Sequence, residues 1–197
     1  MGALLIALLL FQQELIERTL ALVGGQAITL SDARAAMALG LVDAGGSQEP
    51  TPAVTSQLVD RALVLREVVR YAPAAPADSA VAARLEDIRK RAGGVAPLAT
   101  LLERYGFTEV RVLAWIRDEL RTQAYLSQRF ASASTPTDAE VSAAYARSRA
   151  EFDQAGTTFE QAAPIVRDRL VAARRRELIA DWVSDLRRRT DVVILQQ

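Results

Sequence analysis

The sequence has no histidine and no cysteine among its 197 residues. Without histidine, it lacks the commonest general base and the commonest metal ligand. Without cysteine, disulfides, thiol nucleophiles and thiolate-bound zinc are excluded. Only carboxylates, Tyr, Ser, Thr, Arg and the single lysine Lys90 remain for chemistry. We therefore predict no catalytic centre, no cofactor and no metal site.

A net charge of either sign is also missing, because 24 basic residues balance 24 acidic ones. Phosphate binding needs a concentrated positive field, so we expect no nucleic-acid partner. Two arginine triplets, residues 174–176 and 187–189, could still bind nucleic acid or anionic lipid. Consecutive helical residues point about 100° apart, so each triplet spreads around its helix, and a solvated surface is the favoured interpretation.

The chain has one long, unbroken apolar run, residues 3–11, and it is too short for a membrane-spanning helix of ~20 residues. Its length is typical of a secretory signal peptide, although no Lys or Arg precedes it and no small-residue cleavage site follows. The alternative is an apolar helix docked on the core. We favour the signal because the run is apolar on every face and ends abruptly. Residues 1–13 are thus a signal peptide or apolar segment, and residues 14–197 form the folded domain.

Short strands are predicted at both ends of that domain. Gly24-Gly25 lies between two short apolar runs, as in a tight β-hairpin. Residues 191–195 predict a final strand, because Asp191 is followed by the aliphatic, mostly β-branched run Val-Val-Ile-Leu. Because short strands are not stable alone, we expect the final strand to pair with the hairpin.

Helices are predicted throughout the middle of the chain. Ser31-Asp32 should begin the first, and the second should cover residues 52–71. The apolar positions of that second helix recur at helical spacing and should face the core: Val54, Leu58, Ala62, Leu65 and Val69. Thr137 and Glu140 form a capping box, and Thr158 opens the last and longest helix. Pro164 should kink or interrupt that helix.

The resulting fold class is mainly α, with a small β-hairpin near the N-terminus that pairs with a C-terminal strand. Five segments in this order resemble the chaperone part of the SurA-like family (the SurA N-terminal domain family). They are LALVGGQAITLSD (20–32), QLVDRALVLREVVR (57–70), the helix pair of residues 101–130, PTDAEVSAAYARSRAEF (136–152), and the long helix and strand of residues 159–195.

The resemblance implies a periplasmic chaperone that holds unfolded or extended segments of outer-membrane proteins, in transient proximity to the membrane. Isomerase-active family members carry a parvulin domain of roughly a hundred residues between the last two segments, and parvulin sites use histidines. Here, residues 153–157 alone connect residues 14–152 to residues 158–197. The resemblance therefore implies chaperone function without proline-isomerase activity, and with no small-molecule substrate.

The alternatives are an isomerase with an unrecognised site and a structural envelope-assembly partner. The apolar N-terminal segment, if uncleaved, could retain the protein at the membrane.

Aromatic side chains are the candidates for client contact, because they anchor peptides well. We select Trp115, Tyr125 and Phe130. Tyr145, Phe152 and Trp182 lie on the apolar stripes of their helices, so an ordinary core position is the better interpretation for them.

Overall fold

The computed structural model describes residues 18–195, so the predicted signal segment, residues 1–13, lies outside the described residues. Within that range, eight helices lie between a hairpin and a last strand. The elements are β1 (Thr19–Val23), β2 (Gln26–Thr29), α1 (Leu30–Ala38), α2 (Pro52–Tyr71), α3 (Asp78–Ala92), α4 (Val95–Arg104), α5 (Glu109–Arg129), α6 (Asp138–Arg147), α7 (Arg149–Gln154), α8 (Phe159–Arg189) and β3 (Val192–Ile194). No helix in residues 18–195 is long and apolar enough to cross a membrane.

The three strands form one antiparallel sheet in the order β2-β1-β3, which confirms the predicted pairing of the chain's end with the hairpin. Gly24 and Gly25 both have positive φ, 53° and 86°, as a tight two-residue hairpin turn requires. Arg66 of α2 donates a hydrogen bond to the Gly24 carbonyl at 3.2 Å. The turn is thereby tied to the longest helix of the N-terminal half.

Three details of the helices differ from the sequence prediction. The N-cap of α1 is Thr29 rather than Ser31, because Asp32 is the third helical residue and completes a capping box with Thr29. Val69 of α2 is 59% exposed, and the adjacent Val68 is buried instead. Helix α8 runs without interruption through Pro164, which lies near its N-terminal end, so the predicted break is wrong, whereas a kink there stays a prediction.

The buried side chains form three separate clusters. The first joins the sheet to α1, α2, the C-terminal end of α5 and the C-terminal end of α8. The second joins α1, α3, α4 and the N-terminal half of α5. The third is small and consists of Val141, Phe152, Ala162 and Val166, from α6, α7 and the first turns of α8. Helix α8 therefore belongs to two clusters, one at each end.

Arg187 is the strongest polar link between α8 and α2. Its Nε donates to the Asp60 carboxylate at 2.6 Å, and its Nη2 donates to the carbonyl and hydroxyl oxygens of Ser56 at 3.0 and 2.7 Å. The neighbouring Arg188 donates hydrogen bonds to Ser184 and Asp185 of its own helix. Within this triplet, Arg187 thus makes a tertiary contact, whereas Arg188 lies on the solvated surface.

Replacing Arg187 with alanine should destabilise the fold by about 1–2 kcal/mol, because it removes hydrogen bonds of a charged group that is about two-thirds buried. The matched variant R188A should change stability by less than about 0.5 kcal/mol. Urea unfolding followed by circular dichroism measures both. Equal stabilities for the two variants would contradict this division of the triplet.

Glu140 links the start of α6 to α8. Its carboxylate accepts hydrogen bonds from Arg174 of α8 and from the backbone N–H and hydroxyl of Thr137. The Arg174 guanidinium, followed by the Thr137 donors, lowers the pKa of Glu140 from 4.5 to about 2. The unfolded chain therefore binds this proton at a higher pH than the folded chain does.

The E140Q variant should be less stable than the wild type at neutral pH. The difference should shrink as the pH falls from 4.5 to about 2, because the stabilising carboxylate is protonated over this window. Thermal unfolding at a series of pH values measures the difference, and E103Q, at an exposed glutamate in α4, is the charge-matched control. A stability difference between E140Q and the wild type that stays constant from pH 4.5 to about 2 would contradict the lowered pKa of Glu140.

Candidate functional site

The three aromatic residues selected from the sequence lie in different environments. Tyr125 and Phe130 are each only 8% exposed and belong to the first cluster. Both contact Trp182 of α8, with ring centroids 6.0 and 5.9 Å away. Trp182 is itself buried, and so is Phe152, as expected, whereas Tyr145 is half-buried. Whether clients contact Tyr125 or Phe130 stays a prediction, because core packing accounts for both positions.

Trp115 lies on α5 between the first two clusters and packs against both. Its side chain is half-buried and lines a cleft between the hairpin, α2 and α5. The cleft has a volume of about 250 Å³, and we call it the Trp115 cleft. Its walls come from Gln26, Ala27 and Ile28 of β2, Asp32 of α1, Leu58, Arg61, Ala62 and Leu65 of α2, and Phe107, Arg111, Ala114, Trp115 and Asp118 of α5 and the residues before it.

Arg61 covers one face of Trp115. Its guanidinium carbon lies 3.7 Å from the ring centroid, a close cation–π contact. Burial lowers the pKa of Arg61, and the carboxylate of Asp118, 3.9 Å away, partly opposes this effect. Arg61 therefore forms an ordered, largely desolvated wall of the cleft.

The opposite wall repeats this arrangement. Arg111 lies over the Phe107 ring with its guanidinium carbon 4.1 Å from the centroid, and it donates to Asp32 at 2.6 Å. Each arginine of the cleft is thus matched by one aspartate, and the lining residues carry no net charge. The free surface of the cleft is divided about equally between polar and apolar atoms, so it offers contact area to apolar side chains without an unmatched charge.

Two other cavities are more polar. One, of about 540 Å³, lies between α1 and the loop that follows it, and an Arg34–Glu49 ion pair lines it. The other, of about 370 Å³, lies beside Trp182 and is lined by Arg129, Asp185, Arg188 and Arg189. The larger cavity borders an exposed loop with an ion pair at its entrance, so size alone does not make it the better candidate.

The adjacent carboxylates of α5 have different partners: Asp118 lies near Arg61 and Arg121, whereas Glu119 accepts a hydrogen bond from Gln123. Residues 18–195 contain no group of three His, Cys, Asp or Glu side chains that could hold a metal ion. The described residues do offer the Trp115 cleft, whose lining carries no net charge.

No protein-family model matches this chain, and no curated protein is significantly similar to it.

Sequence reasoning selected Trp115 but not the residues around it. Ala27, Arg61 and Ala114 are far apart in the sequence and have no individual signal. Only the fold brings Ala27 of β2 and Ala114 of α5 to the same cleft.

Tryptophan fluorescence tests the different environments of the two indoles. Variant W182F retains only Trp115, and variant W115F retains only Trp182. Because Trp115 lines an open cleft and Trp182 is 8% exposed, acrylamide should quench W182F more steeply than W115F. Equal quenching, or steeper quenching of W115F, would contradict the position of Trp115.

Proposed function

We propose that this protein is a holdase chaperone that binds unfolded or extended polypeptide segments in the Trp115 cleft, without isomerase catalysis. It would act in the periplasm on envelope proteins, as the resemblance to SurA-like chaperones implies. The proposal needs no cofactor, nucleotide or metal.

The observation that carries the proposal is the Trp115 cleft, where the apolar side chains of Leu58, Leu65 and Trp115 lie beside the exposed strand β2. Unfolded chains expose apolar side chains together with extended backbone, whereas folded proteins bury most of both. A cleft of about 250 Å³ has room for one or two such side chains. At ~25 cal/mol per Å² of buried apolar surface, this burial favours weak and reversible binding.

Passive binding is sufficient for the proposed activity. A protein that binds only unfolded chains lowers their free concentration by mass action and so competes with aggregation. The four-residue connection between α7 and α8, and the lack of histidine in the sequence, support holding without catalysis.

Blocking the cleft should abolish the activity without unfolding the protein. Ala114 is exposed on α5 and lines the cleft, so the long, charged side chain of A114R would fill it. Arginine is nearly as good a helix former as alanine, so α5 should be retained. We expect A114R to lose most of the wild-type suppression when guanidine-unfolded citrate synthase is diluted into buffer and its light scattering is followed.

The matched control is A124R, at an exposed alanine of the same helix that does not line the cleft. It should suppress aggregation as the wild type does. Wild-type protein that gives no suppression at stoichiometric excess would contradict the proposal. Equal loss in A114R and A124R would contradict the assignment to the cleft, and capture of one stoichiometric folded partner would favour the structural alternative.

A further inference from the structure

The outer edge of β2 has a hydrogen-bonding pattern that follows from the register of the sheet. Gly24 N–H donates to Asp191 O at 2.8 Å, and Leu195 N–H donates to Leu20 O at 2.9 Å. In an antiparallel sheet, these bonds mean that the backbone N–H and C=O groups of the even-numbered residues of β1 point toward β3. Those of the odd-numbered residues point toward β2. Leu22 and its β2 partner Ala27 therefore form a non-hydrogen-bonded pair.

The N–H and C=O groups of Ala27 consequently point away from β1, toward the free edge. Within residues 18–195, neither group has a hydrogen-bond partner in another element. Ala27 is exposed and lines the Trp115 cleft. The next outward N–H along the strand, that of Thr29, donates to the Asp32 carboxylate at 3.3 Å. Among the described residues, strand β2 thus offers one free donor–acceptor pair, directly beside the Trp115 cleft.

We infer that an extended client segment binds as a fourth strand on β2. It would form hydrogen bonds with the N–H and C=O of Ala27 and place an apolar side chain in the Trp115 cleft. An unpaired strand edge is a template for another extended backbone, and adjacent pockets select the side chains. The inference rests on the proposed function and specifies how the client is held.

We choose an unfolded polypeptide as the partner because the strand edge requires an extended backbone and the cleft requires an apolar side chain. An extended backbone supplies the donor and acceptor that Ala27 lacks, and its alternate side chains point to one face of the enlarged sheet. The residues of β2 next to Ala27 in sequence include Ile28, which is buried on the core side toward α2. Client residues on that same face would meet Leu58, Leu65 and Trp115.

The β3 edge provides a matched comparison. By the same alternation, the backbone groups of Ile194 also point outward, and Ile194 is 49% exposed. Proline is tolerated on edge strands where its missing N–H faces solvent. A27P and I194P therefore remove equivalent outward N–H groups from opposite edges of one sheet.

The experiment measures the affinity of the full chain for a fluorescein-labelled peptide, Thr-Leu-Thr-Val-Thr-Leu-Thr, by anisotropy. We expect A27P to weaken binding roughly tenfold, the equivalent of one hydrogen bond of about 1.4 kcal/mol. I194P should bind within about twofold of the wild type. Circular dichroism checks that both variants are folded.

Two N-methylated versions of the peptide test the same point without altering the protein. Each version carries methyl groups on every second backbone amide, and the amides methylated in one version are unmethylated in the other. Because a paired strand uses only every second amide on its bonded edge, one version should lose binding and the other should retain it. This comparison stays decisive if A27P fails to fold.

Several results would overturn strand addition at β2. They are wild-type affinity in folded A27P, tolerance of both methylation patterns, or weakening by I194P instead. A wild-type dimer that A27P converts to a monomer would mean that a second copy occupies the edge. Any of these results combined with unchanged suppression of aggregation leaves the holdase proposal standing. Loss of both peptide binding and suppression in the wild type overturns both.

Discussion

Strand β1 needs a hydrogen-bonding partner on each side, and the rest of the fold depends on how it obtains them. Ala21 and Val23 are fully buried, so their strand cannot leave backbone groups unpaired on either side without a large cost. The near partner, β2, is supplied by a two-residue turn. The far partner, β3, lies at the opposite end of the chain, about 170 residues away, so the intervening helices must return the chain to its starting point.

Helix α8 makes that return. Its first turns pack in the small third cluster, and its last turns bring Trp182 and Leu186 into the first cluster, directly before β3. The Arg187 contacts with α2 hold the final turn in place. Because β1 is the central strand, the outer edges of the sheet belong to β2 and β3, and the Trp115 cleft lies beside β2.

Local chemistry made much of this fold predictable from sequence. The glycine pair, the capping box at Thr137 and the β-branched end of the chain each act over a few residues, and the structure has the corresponding turn, helix start and strand. The prediction was wrong where two local signals compete, as at Thr29 and Ser31. Burial that depends on distant elements could not be predicted: α8 packs on Tyr125 and Phe130, and no residue near them in the sequence indicates that contact. The cleft joins residues from four elements, β2, α1, α2 and α5, and could not be predicted from any one of them.

The proposed function depends on contact between unfolded chains and the Trp115 cleft beside β2. Amide hydrogen exchange of the folded protein, with and without saturating unfolded citrate synthase, tests it most directly. Exchange reports on individual amides, and Ala27 has an outward N–H on the client side while Ile194 has one on the opposite edge. The account predicts slower exchange at Ala27, with Ile194 unchanged. Unchanged exchange at Ala27 while the client is bound elsewhere would contradict it.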